Sequence, residues 1–195
     1  LQSHHVFDPS WAQTSLPVIL RSISPFLTPI CERIHVKSSI IVRSAAASDL
    51  RAIVEGNSMM AIESEGKRLD EAVLTRGVRR ALEDPLRGRY LVAECDGRVV
   101  GQLMVTQEWS DWRDGWFWWI QSVYVAKNFR RKGVYRRLYE HLRDEASNTA
   151  GVCGLRLYVE RENEPALATY QSLGMVDAGY NLYEIVWPSA ADDRG

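Results

Sequence analysis

The chain has 195 residues, a length that suits one domain with a terminal extension. Its 46% hydrophobic and 25% charged residues are enough for a core without disulfides or a metal. A formal net charge of −1 argues against a nucleic-acid backbone as the main partner, because such binders carry a basic excess. Cys31, Cys95 and Cys153 lie far apart and form no CxxC pair, so free thiols, no metal site and a cytoplasmic location are expected.

Residues 1–38 form an N-terminal extension of unassigned role. Residues 16–34 are moderately apolar, but Pro17, Arg21, Pro25 and Pro29 interrupt them, so neither a membrane span nor a cleaved leader is expected. The main domain is expected over residues 39–188, followed by a short tail, 189–195.

Ile40, Ile41 and Val42 make a β-branched run that reads as a buried strand. Ser48 and Asp49 are N-cap residue types ahead of Leu50, Ile53 and Val54 at helical spacing. A second helix is predicted from Asp70, with Leu74, Val78 and Leu82 on one stripe and Pro85 as its stop. Residues 90–95 and 99–105 are strand-like and flank Asp96-Gly97, a strong hairpin signal. A polar turn at 110–115 leads to a long strand over 116–125. Val134, Leu138 and Leu142 then mark a helix opening near Gly133. A strand is expected at 155–159, a helix at 165–173 ended by a left-handed Gly174, and a closing strand at 183–187. This order of elements points to a single α/β domain with one mixed sheet.

The first chemical signal is the passage from strand to helix. After Val123-Tyr124-Val125 comes a basic turn, Arg130-Arg131-Lys132, and then Gly133-Val134-Tyr135-Arg136. A helix start offers unbonded N–H groups and the positive end of the helix dipole, which suit a phosphate. Gly133 would let the backbone approach the anion without a Cβ. A solvated basic turn ahead of a surface helix is the plainer alternative.

Arg130-x-x-Gly133-x-Tyr135 resembles the (Gln/Arg)-x-x-Gly-x-(Gly/Ala) motif of the GNAT N-acetyltransferase superfamily. Tyr135 departs from it, standing where the family has Gly or Ala, so its ring must point away from the phosphates. A second stretch is similar to a further motif of that family: Asn163, Ala166, Tyr170 and Leu173-Gly174-Met175 stand at its spacing, with Met in place of Phe. The resemblance covers about residues 40–187. The resemblance implies a mixed, mostly antiparallel sheet with helices on both faces. It implies acetyl-CoA as co-substrate, with no metal. Its pyrophosphate would lie on the amides of the turn, with Arg130, Arg131, Lys132, Gly133, Val134, Tyr135 and Arg136 around it. Its pantetheine arm would pair with the backbone of Val123, Tyr124 and Val125, which would also supply the oxyanion donor. Asn163 would bond the pantetheine chain, or serve only as a helix cap. Tyr170 would give a proton to the departing thiolate, or serve only as a core aromatic.

The base is less marked. Some family members carry a Glu five residues before the Asn, where this chain has Tyr158. Glu108, at the end of a strand, is the candidate. Gln121 could orient a water if it shares a face with Val123, which requires that no bulge intervene. Trp109, Trp112, Trp116, Trp118 and Trp119, interleaved with Glu108, Asp111 and Asp114, favour a cationic acceptor, either a small-molecule amine or a peptide amine. The same indoles could instead fill the core or cover a homodimer interface. No nucleic acid or membrane partner is expected. Two other readings are a non-catalytic acyl-CoA sensor and an interaction domain built on the tryptophan-rich hairpin. No GxxxxGK[ST] or GxGxxG nucleotide loop occurs.

Overall fold

The computed structural model describes residues 39–187; the expected extension 1–38, the expected tail 189–195 and Pro188 lie outside the described residues. Strands β1 (Ile41–Ser44), β2 (Arg89–Cys95), β3 (Arg98–Ser110), β4 (Gly115–Val125) and β5 (Val152–Leu157) form one sheet in that order. The first three pairings are antiparallel, and β4 with β5 is parallel. Helices are α1 (Leu50–Glu65), α2 (Glu71–Glu83), α3 (Val134–Ser147) and α4 (Glu164–Ser172). The expected mixed, mostly antiparallel sheet is therefore present.

Strand alternation sorts the core into two layers. Leu91, Leu103, Trp118 and Ile120 pack with Leu138 and Leu142 of α3 on one face. Tyr90 and Val92 pack with Ile53 and Val54 of α1 and Val78 and Ala81 of α2 on the other. Helices thus cover both faces, as β-strands with two apolar sides require.

Local chemistry accounts for the boundaries. Asp70 caps α2, its carboxylate accepting from Val73 N at 2.8 Å. That helix ends at Glu83, two residues before Pro85. Asp96 and Gly97 both take positive φ (50° and 74°), the geometry that matches a tight hairpin to the twist of β2 and β3. Asp49 precedes α1, but its carboxylate turns back to Ala46 N and the Arg43 guanidinium instead of capping that helix.

Three expectations are corrected. β1 is not a buried strand: it lies at the sheet edge, and Ile41 is 58% exposed. β5 begins at Val152, three residues before the expected start, and ends at Leu157. Residues 183–187 form no strand; Tyr183, Ile185, Val186 and Trp187 stand exposed. Their apolar, β-branched composition signals a strand, but none of the five strands pairs with them. No helix among the described residues is long and apolar enough to cross a membrane.

Candidate active site

β4 and β5 pair from Trp116↔Val152 to Ile120↔Leu157 and no further. Residues 121–125 of β4 continue past that last pair, so their β5-facing backbone edge has no parallel partner. A β-bulge sits in the same stretch. Tyr124 faces Gln102 and Gln121 faces Met104, so Ser122 and Val123 of β4 stand against Leu103 alone of β3. Ser122 there has a φ of 51°, unusual for a residue with a side chain. The bulge intervenes between Gln121 and Val123 and puts them on opposite faces. Gln121 lies on the α1/α2 face, its Nε2 donating to Thr106 Oγ1 at 2.6 Å, whereas Val123 packs against the α3 layer.

Beyond β4 the chain makes a 3-10 turn, Lys127–Phe129, and reaches α3 through Arg131 (φ 59°) and Gly133 (φ 77°). The first intrahelical bond is Arg137 N to Gly133 O at 3.1 Å, which leaves the preceding amides to other partners. A Cβ built on Gly133 meets nothing within 4 Å, so the space in front of this helix start is open. A diphosphate fits such a site on both steric and electrostatic grounds.

Tyr135 points back from the turn, as its bulk requires. Its ring lies 6.3 Å from that of Tyr139 and 5.7 Å, edge-on, from that of Tyr170. The Tyr135 hydroxyl is buried without a hydrogen-bond partner, and burial pushes its pKa well above the usual phenol range. Burial also raises the Tyr170 phenol, keeping it protonated at neutral pH as a proton donor must be.

Asn163 caps α4, its Oδ1 accepting from Ala166 N at 3.1 Å. It also lines a cleft of about 290 Å³ together with Val123, Tyr124, Val125 and Arg130. An Asn side chain keeps two N–H donors when its oxygen is engaged, so the cap does not exhaust it. Cap and cleft wall are both real positions of this residue.

Two acidic groups bear on the site. Glu63, near the end of α1, lines the same cleft, pairing with Arg130 at 2.5 Å and Lys127 at 3.5 Å. Burial pushes its carboxyl up, but the two cations outweigh it and leave the pKa below the ordinary value. Arg130 also donates from Nε to Val125 O at 2.9 Å, tying the turn to the strand end. Sequence reasoning missed Glu63, which nothing in its own helix singles out.

Glu108 is farther along the sheet, on the α1/α2 face opposite Phe117. One carboxylate oxygen accepts from Arg156 at 2.7 Å and the other from the Trp119 indole. Arg156 lies over the Phe117 ring, and Trp119 stacks on Tyr158 with centroids 4.6 Å apart. The tryptophans divide between faces. Trp116 and Trp118 share the α3 side with Trp109, Trp119 faces α1 and α2, and Trp112 is exposed in the turn.

A parallel strand pair in which β5 stops while β4 runs on through a bulge, with an open, basic helix start beyond it, defines an α/β domain of the acetyltransferase type. The chain belongs to the acetyltransferase (GNAT) family, whose model matches residues 57–175. A possible acetyltransferase from Clostridium difficile 630 is 46% identical; the match covers 76% of this chain and 98% of that one with a TM-score of 0.72. A ribosomal-protein alanine N-acetyltransferase of Salmonella typhimurium is 44% identical over 57 residues, 29% of this chain and 38% of the relative. An L-amino acid N-acyltransferase of Escherichia coli is 37% identical over 92 residues, 44% of this chain and 49% of the relative. The chain therefore matches less than half the length of either of these two curated relatives.

Proposed function

We propose that this chain transfers the acetyl group of acetyl-CoA to a primary amine by direct attack. The observation that carries the reading is the edge of residues 121–125, which has no strand partner in β5, holds the bulge at Ser122 and leads through the Lys127–Phe129 turn to the helix start at Gly133. An extended pantetheine arm would add to that edge as a strand does, with its diphosphate at the amides around Gly133. Arg131, Lys132 and Arg136 supply positive charge beside it, and Val134 and Tyr135 hold the helix start against the core.

In the reaction the acceptor ammonium first gives up a proton to solvent or to Glu108. The neutral amine nitrogen then attacks the thioester carbonyl, and the negative charge that develops on oxygen falls to the backbone amide of Val123 at the bulge. Collapse breaks the C–S bond, the Tyr170 phenol gives its proton to the leaving thiolate, and the amine proton leaves to solvent. Tyr170 then regains a proton from water, which completes the balance.

The acceptor would approach from the α1/α2 face, where Trp119 and Gln121 precede the bulge. The Trp119–Tyr158 stack and the Glu108 carboxylate suit an ammonium group, on either a small molecule or a peptide. Each Glu108 oxygen retains a lone pair, so this residue serves as the acceptor's anionic anchor or as its base. The free thiols of Cys95 and Cys153 are in keeping with a cytoplasmic setting.

Titrating acetyl-CoA calorimetrically, then following free CoA against an amine panel, tests the reading. Binding with release for at least one amine is expected; binding without release for every amine would mark a coenzyme sensor instead. Tyr170→Phe is expected to lower kcat by about 10²-fold while changing coenzyme affinity less than about two-fold, because only proton delivery is lost. Equal losses in both would assign Tyr170 a packing role.

A further inference from the structure

A chain of buried polar side chains ends at the bulge. Asn57 of α1, Tyr90 of β2 and Gln102 of β3 are 4%, 4% and 1% exposed. Gln102 Nε2 donates to Asn57 Oδ1 at 2.8 Å and to Ile53 O at 3.2 Å. Asn57 Nδ2 donates to Tyr90 Oη at 3.1 Å, and the Ser122 side chain lies near enough to the Tyr90 hydroxyl to oppose part of the rise that burial gives its pKa. The chain room is built for it: a Cβ on Gly56 would lie 2.6 Å from Gln102 Oε1.

Such a network is costly in a core that aliphatic residues could fill, since each buried polar group must be satisfied. It connects four elements and terminates on the one residue of β4 whose backbone is in the left-handed region, Ser122 at φ 51°. A non-glycine residue stays in that region only when its surroundings hold it there. The neighbouring amide, Val123 N–H, takes its direction from that backbone.

We propose that Asn57, Tyr90 and Gln102 are positioning residues, which through the Ser122 hydroxyl hold the bulge so that the Val123 amide aims at the thioester carbonyl. The inference rests on the acetyl-transfer reading and adds to it the groups that set the oxyanion donor. None of them touches the reacting atoms. Gln102 fixes the Asn57 amide, Asn57 fixes the Tyr90 phenol, and Tyr90 fixes the strained residue of the bulge.

The test uses the full chain with isotope-labelled acetyl-CoA and reads the carbonyl stretch of the bound thioester by infrared difference spectroscopy. The wild type is expected to show a stretch lowered from its value in water. Tyr90→Phe and Ser122→Ala each cut the same hydroxyl contact. Each is expected to return the stretch toward the solution value and to lower kcat by about ten-fold, with coenzyme affinity changed less than about two-fold. The double variant should be no worse than either single one, because both remove one link. An unshifted stretch and full kcat in Ser122→Ala, which only removes a hydroxyl from a half-buried side chain, would overturn the proposal even if Tyr90→Phe failed to fold. So would a kcat loss that follows thermal stability while the stretch stays at its wild-type value. A wild type that binds no acetyl-CoA would instead bring down the transfer reading beneath it.

Discussion

Gly133 combines a left-handed backbone with open space at its face, and the two properties separate under substitution. Asn and Asp enter the left-handed region more readily than other side chains, so either should leave the turn's path intact. They differ by one negative charge aimed at the same volume. Gly133→Asn should therefore weaken acetyl-CoA binding modestly, by steric crowding alone. Gly133→Asp should weaken it at least about five-fold further, since a unit charge about 4 Å from another is worth ~1–4 kcal/mol in water or near a protein surface. Direct titration of both variants checks this, and equal affinities would show that no phosphate sits there. At Tyr135 the family's small residue is replaced by a ring that turns inward, at the expense of a hydroxyl with no partner.

Among the elements, α1 is the one that reaches both ends of the site. Its Asn57 supports the bulge, and its Glu63 neutralises Arg130 and Lys127 beside the turn. An incoming diphosphate competes with Glu63 for those cations. Glu63→Gln should consequently tighten acetyl-CoA binding by about two- to five-fold, the equivalent of the ~0.2–1 kcal/mol that a half-exposed ion pair supplies. The gain should shrink as salt is added; unchanged or weaker affinity at low salt would contradict it. α2 and α3 were legible in the sequence because their apolar stripes, the cap at Asp70 and the glycine at 133 are local signals. The Asp96-Gly97 hairpin was legible for the same reason. Glu63 was not, because its partner Arg130 lies 67 positions away. The bulge was equally hidden: Ser122 is no glycine, and simple alternation put Gln121 and Val123 together when the extra residue separates them. Residues 183–187 misled in the other direction, since a strand's composition does not supply a strand's partner.

At the scale of the whole molecule, the four phenols of Tyr90, Tyr124, Tyr135 and Tyr170 share one perturbation. Burial raises each above the ordinary phenol range, with charges and hydrogen bonds only modifying it. In the unfolded chain each releases its proton near pH 10. A raised folded-state pKa gives stability that is complete below the unfolded value and lost as the pH climbs toward the folded one. Above about pH 10 the unfolded state therefore binds fewer protons than the native state, and stability must fall, by up to about 1.4 kcal/mol per pH unit for each such phenol. Tyr135 contributes to this fall and also buries an unsatisfied hydroxyl. Tyr135→Phe is accordingly expected to stabilise the protein at pH 7 by about 1 kcal/mol, within the range for removing an unpaired buried donor. Its advantage over the wild type should widen between about pH 10 and 11, where the titration of Tyr135 no longer favours unfolding. Urea unfolding of both proteins at pH 7, 9, 10 and 11 measures the two effects separately. A constant difference across that series would mean that the Tyr135 phenol titrates alike in the folded and unfolded chain, against the burial of its hydroxyl between α3 and α4.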